Sequence, residues 1–231
     1  MEATFWLPRL AAMIAAVVWI GATAAAQAQQ EFPPPQGKAR VVAVLSGQAG
    51  PKHDRRAAEA FAKLGYDVVL FDSNQFVRRL WLEGSQLAAV GTAIQQAQRM
   101  PHALPGKVAV IGLSLGGGMA LLYATHLPNL VAGIVAWYPL TRPFQDARSF
   151  VSNVSVPVLM FAGEDDTYKN CCLIATARSL AAASPSGTPL QVITYPATGH
   201  DFIIGGHNYN ENSYKDAMQR TAARLQQYLG R

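Results

Sequence analysis

Val108-Ala-Val-Ile-Gly112-Leu-Ser114-Leu-Gly116-Gly-Gly118, followed at once by Met119-Ala-Leu-Leu-Tyr-Ala-Thr-His126, decides how this chain folds. An apolar, β-branched run enters Gly112-x-Ser114-x-Gly116, and a helical pattern begins immediately after it. A serine at the tip of such a strand-to-helix turn sits in strained backbone, so the residues two before and two after it must lack bulk. Gly112 and Gly116 hold those places, while Gly117 and Gly118 allow the helix to approach the sheet. The helix start aims free N–H groups and the positive end of its dipole at any anion formed beside Ser114. Gly-x-Ser-x-Gly arises by chance in roughly one chain in ten of this size, and the flanking strand and helix signals are what make it a nucleophile elbow.

Outward from that stretch, strand and helix patterns alternate. Strands are expected at Ala39–Leu45, Asp67–Phe71, Val108–Leu113, Ala132–Trp137, Val156–Ala162 and Leu190–Tyr195. Helices are expected at Asp54–Leu64, with Asp54 as N-cap, and at Ser85–Met100, after Ser114, at Cys171–Ala183 and at Tyr214–Tyr228. This is an α/β chain with a mostly parallel sheet covered by helices on both faces. Before it, residues 1–28 read as a signal peptide: a short n-region with Arg9, an apolar run from Leu10, and Ala26-Gln27-Ala28 before the cut. The protein is therefore expected to be exported, periplasmic or secreted; the alternative is an uncleaved N-terminal membrane anchor. Residues 29–38, with Pro33-Pro-Pro35, read as a stiff linker, leaving 39–231 as one domain.

The composition excludes more than it assigns. Net charge is +5, but the basic residues are scattered without aromatic interleaving, so nucleic acid is not an expected partner. Nothing implies a cofactor or a metal. The two cysteines are neighbours, Cys171-Cys172. A bridge between adjacent residues closes a small strained ring across ~3.8 Å of Cα separation, so the pair reads as two small helical residues, at least one buried.

A serine nucleophile needs a base, and the base needs an orienting carboxylate. Parallel strands deliver their carboxyl ends to one edge of the sheet. Two later strands end in suitable residues: one breaks at Gly163 into Glu164-Asp165-Asp166, the other at Gly199 into His200. Spacing from the turn glycine leaves Asp165 and Asp166 both open. For an oxyanion hole, Leu115 supplies one N–H and Gly47 or Gln48 in the loop after the first strand supplies the other. Trp81, Trp137, Tyr138 and Phe144, near strand ends, are candidate pocket residues.

The stretches Gly106–Gly117, Gly163–Asp166 and Gly199–Phe202 resemble, in order and spacing, the dienelactone hydrolase family of the α/β-hydrolase superfamily, over about residues 39–229. The resemblance implies the α/β-hydrolase fold, with Ser114 as nucleophile, Asp166 as orienter and His200 as base. The short segment Asp72–Gly84 leaves little room for a large lid domain. Two departures matter. The type members carry cysteine where this chain has Ser114. They also follow the histidine with His-x-Phe-x-Arg, where this chain reads His200-Asp-Phe-Ile-Ile204 and lacks that cation for a substrate carboxylate. The expectation is a serine carboxylic-ester hydrolase for small neutral esters or lactones. The alternatives are another acyl-transfer chemistry (thioesterase, peptidase, acyltransferase) and a non-catalytic binding protein of the same fold.

Overall fold

The computed structural model describes residues 29–77, 85–202 and 209–230. The leader reading at residues 1–28 and the candidate pocket residue Trp81 lie outside them. Seven strands form one sheet: β1 (Gln29–Phe32), β2 (Val41–Leu45), β3 (Asp67–Phe71), β4 (Val108–Leu113), β5 (Val131–Trp137), β6 (Val158–Gly163) and β7 (Leu190–Tyr195). Their spatial order is β1-β3-β2-β4-β5-β6-β7. All neighbours run parallel except β1, which pairs antiparallel with β3 at the edge.

Alternate residues of each strand leave on opposite faces of the pleat, and both faces are buried. Val41, Ala43 and Leu45 of β2 join one core layer, which is covered by helices α3 (Ser85–Ala97), α4 (Leu115–Leu122) and α6 (Ile174–Ala182). Val42 and Val44 join the other, covered by α1 (Pro51–Ala62) and α7 (Glu211–Leu229). A four-residue helix, α2 (Asn74–Val77), follows β3, and α5 (Ala147–Ser152) precedes β6. Burial of each large aliphatic or aromatic side chain here contributes about 1.5–3 kcal/mol. Helix α7 shows how sequence becomes packing: Ser213, Ala217, Thr221, Leu225 and Leu229 recur every fourth residue and form its buried stripe. Asn210 caps it, its side chain accepting the N–H groups of Asn212 and Ser213.

The elements depart from the sequence expectation at α1, at the supposed linker and at the cysteine pair. Helix α1 begins at Pro51, with Gly50 at its cap, so Asp54 lies inside the first turns and is buried. The supposed linker contributes β1, whose Phe32 packs into the layer beneath α1. Cys171 and Cys172 are disulfide-bonded, with Cα atoms 3.8 Å apart. They precede α6 rather than lie in it, following a short 3₁₀ turn (Tyr168–Asn170) in which Lys169 and Asn170 have positive φ. Consecutive helical side chains diverge by roughly 100° around the axis, which would hold the sulfurs apart; irregular chain lets them meet.

Candidate active site

The turn between β4 and α4 holds Ser114 at φ 50°, ψ −110°. That strained conformation is over-determined by three backbone hydrogen bonds. Ser114 donates its N–H to Trp137 O at 3.0 Å, and its carbonyl accepts from Gly118 at 3.0 Å and Leu140 at 2.8 Å. The flanking glycines answer to close approach: a Cβ on Gly112 would lie 2.5 Å from Gly116 O, and one on Gly116 would run into the Leu45 carbonyl.

The ends of β4, β6 and β7 bring Ser114, Asp166 and His200 together. His200 Nε2 lies 2.9 Å from Ser114 Oγ, and Nδ1 lies 2.7 Å from Asp166 Oδ2. Asp166 is 3% exposed, and its other oxygen accepts the Tyr168 N–H at 3.1 Å. Asp165, one residue earlier, is exposed and lines the cavity without touching His200. Glu164 turns away to Thr194 Oγ1 (2.9 Å) and Arg178 (3.3 Å). The His200 ring is held between aromatic neighbours, stacked on Tyr168 with centroids 4.5 Å apart and edge-on to Tyr138 at 4.8 Å. Such a chain allows His200 to accept the Ser114 proton while Asp166 holds Nδ1–H and the imidazolium that results.

Leu115 opens α4, so its N–H belongs to the free first turn of that helix. Of the two early-loop donors, Gly47 already gives its N–H to Asp54 Oδ2 at 2.5 Å. The Gln48 N–H makes no hydrogen bond among the described residues and is the one available.

A cavity of about 380 Å³ opens beside Ser114. Tyr138 lines it; Trp137, its neighbour in sequence, does not, and packs into a cluster with Phe61, Phe161 and Phe202. Trp137 is thus a core residue rather than a pocket residue, and Phe144 is likewise buried against Phe150. The sequence reading missed a second polar cluster in the same cavity. His53 Nε2 lies 2.7 Å from Asp201 Oδ2, Tyr138 donates its hydroxyl to Asp201 Oδ1 at 3.1 Å, and Asp54 lies beneath. Asp201 was visible beside His200; His53 and Asp54 gave no local signal. Three acids, Asp54, Asp165 and Asp201, line the cavity, and no lysine or arginine does among the described residues. Lys169 stands at the rim, 3.4 Å from Gln48 Oε1.

Burial pushes the Tyr138 hydroxyl well above its ordinary range, reinforced by Asp201 and Asp54, so it stays a donor. Burial also raises Asp54 from 3.8 to about 6, against the lowering effect of the Gly47 N–H. Folding therefore takes up a proton between those two values, and the ionised buried form costs stability above about pH 6, a cost absent below pH 3.8. Asp54→Asn is accordingly expected to raise the thermal midpoint by several degrees near pH ~8 and to lose that advantage as the pH falls toward ~4. Thermal melts of both proteins across that range check it; equal midpoints at the upper end would refute it.

A mostly parallel sheet with a serine-bearing turn after β4, and the histidine and carboxylate presented by later strand ends, defines the α/β-hydrolase fold. The dienelactone hydrolase family model matches residues 26–229, and the chain belongs to that family of hydrolases. A Klebsiella pneumoniae protein provisionally named a dienelactone hydrolase superposes with a TM-score of 0.71 at 21% identity, over 87% of this chain and 92% of that one. The carboxymethylenebutenolidase of Rhodococcus opacus is 28% identical over 193 residues, 76% of this chain and 75% of its own. A Salmonella typhi protein provisionally named a carboxymethylenebutenolidase is 29% identical over 134 residues, 54% of this chain. That match spans about half of the relative's length, 48%.

Proposed function

We propose that this chain is a serine hydrolase of small, neutral carboxylic esters or lactones, acting through an acyl-enzyme. The observation that carries the reading is His200 bridging Ser114 Oγ and Asp166 at hydrogen-bond distances on both sides. Ser114 Oγ attacks the acyl carbon as His200 Nε2 takes its proton, and Asp166 stabilises the imidazolium. The N–H groups of Leu115 and Gln48 receive the negative charge of the tetrahedral oxygen. His200 then returns the proton to the leaving alcohol, and water, deprotonated by the same imidazole, repeats the cycle on the acyl-enzyme. Neutral substrates follow from charge: with three acids and no lysine or arginine lining the cavity among the described residues, a substrate carboxylate would meet repulsion there. The cavity volume, near the lower end of the range for ligand pockets, suits small molecules. No cofactor enters these steps.

Export fits the same reading. A cut after Ala28 leaves Gln29, the first residue of β1, as the mature N-terminus, and a disulfide persists in oxidising compartments. In that reading the mature chain carries no membrane anchor.

One experiment addresses both. The exported product is labelled with a fluorophosphonate and its peptides are read by mass spectrometry, with neutral and anionic esters of one acyl group compared in turnover. Labelling at Ser114, its loss in Ser114→Ala, preference for the neutral ester and an N-terminus at Gln29 are expected. Equal labelling of Ser114→Ala sinks the serine assignment, preference for the anionic ester sinks the substrate class, and an intact residue 1 sinks the leader.

A further inference from the structure

At the edge of the sheet opposite Ser114, three segments distant in sequence converge. Asp67 opens β3, at the amino ends of the parallel strands. Glu31 lies in β1, paired in register with Val69. His102 lies in the loop between α3 and β4, and that loop is tied to the chain entering β2. Ala39 donates to His102 O at 2.9 Å, and Leu104 donates back to Ala39 O at 2.8 Å. Two carboxylate oxygens and one imidazole nitrogen meet here, all within 4.8 Å of one another, with His102 Nδ1 2.9 Å from Glu31 Oε1.

Asp67 is what sets this cluster apart from a surface group of acids. Its residue is fully buried, neither carboxylate oxygen accepts from a donor group among the described residues, and the side chain beside it is the Glu31 carboxyl. A buried, unpaired carboxylate is costly, and here a second one stands beside it. Arg40, whose carbonyl accepts the Asp67 N–H, has its guanidinium engaged elsewhere, on the Pro105 carbonyl. Among the described residues, His102 is the basic side chain that meets the two carboxylates.

The geometry points to a divalent-cation site formed by Glu31, Asp67 and His102, of the zinc class, that clamps edge strand β1 to β3 and to the α3–β4 loop. Bonds of ~2.1 Å from one ion to imidazole nitrogen and carboxylate oxygen place neighbouring ligand atoms roughly 3–3.4 Å apart, a spacing the His102–Glu31 pair already approaches. An imidazole in the set favours zinc over magnesium, which prefers an all-oxygen shell with several waters. The cation neutralises the buried Asp67 and replaces its missing hydrogen bonds. β1 has a neighbour on one side only, so a tie across three segments acts where the sheet is least held. Because the cluster lies across the sheet from Ser114, the ion changes stability and leaves ester turnover unchanged.

The test uses the full chain with its disulfide intact, so that the cysteines offer no thiolate, stripped with chelator and titrated with Zn²⁺ near pH ~8. Calorimetry is expected to show one equivalent bound, and the thermal midpoint to rise by several degrees at zinc well above Kd. Asp67→Asn and His102→Gln should each abolish both responses, while Mg²⁺ at the same concentration gives neither. His102→Gln is the decisive variant, since its half-exposed side chain is not needed for folding. A wild-type protein with no zinc response overturns the proposal, as does a one-equivalent response that survives His102→Gln.

Discussion

Asp166→Asn is expected to lower kcat/KM for a neutral ester by on the order of 10⁴-fold, while Asp165→Asn stays close to wild type. The two residues are adjacent and chemically identical, so the contrast isolates geometry. Asp166 Oδ2 sits 2.7 Å from His200 Nδ1, and this contact requires the proton on Nδ1, leaving the Nε2 lone pair to face Ser114 Oγ at 2.9 Å. Asparagine keeps the size but offers an N–H₂ toward Nδ1, which favours the opposite tautomer and adds no charge to stabilise the imidazolium. Asp165 has its N–H on Thr198 O, and its side chain is exposed. Steady-state kinetics on both variants, with circular dichroism to confirm folding, decides the matter. A collapse of turnover in Asp165→Asn alone would place the orienter one residue earlier.

Gly116→Ala is expected to cost at least about 4 kcal/mol, a drop in thermal midpoint of roughly 10 °C, with loss of esterase activity in whatever folds. A single methyl group acts so strongly because of what it meets. Its neighbours are backbone: the Leu45 carbonyl, and Ser46 O at 2.7 Å, at the carboxyl end of β2. Neither is the end of a side chain that can rotate aside, so α4 and β2 must separate. That separation would move the Gln48 N–H relative to Ser114, and the charge-stabilising donors with it. Gly37 makes the control, since a Cβ there meets nothing within 4 Å; its φ of 61° confines the cost to local backbone strain. A Gly116→Ala melt within a degree or two of wild type would show that the elbow tolerates more room than its packing indicates.

The alternation of strand and helix, the strand positions of β3, β4 and β7, and the elbow at Ser114 were all readable from the chain. Each is a local property: apolar runs of strand length, helical spacing, and glycines at the two positions where backbone must pass backbone. The order Ser, Asp, His along the sheet edge was also readable, because parallel strands deliver their ends to one side whatever the loops do. The resemblance to dienelactone hydrolases rested on those same stretches, and the family match spans nearly the whole described chain.

Tertiary structure alone decided the rest, since each point turns on direction or on contacts between distant segments. Asp165 and Asp166 differ by one step in a turn: spacing left both open, the family resemblance favoured Asp166, and the backbone path there is what aims it at His200. Trp137 and Tyr138 are neighbours, yet one enters the core beside Phe161 and the other the cavity beside His200. His53 and Asp201 pair across 148 positions, and Glu31 and His102 across 71. Asp54 reads as a helix cap until Gly50 and Pro51 start the helix sooner and its carboxylate takes the Gly47 N–H. Local patterns carry the period of burial along an element; which side chains from separate elements meet is fixed only when the sheet has brought their ends together.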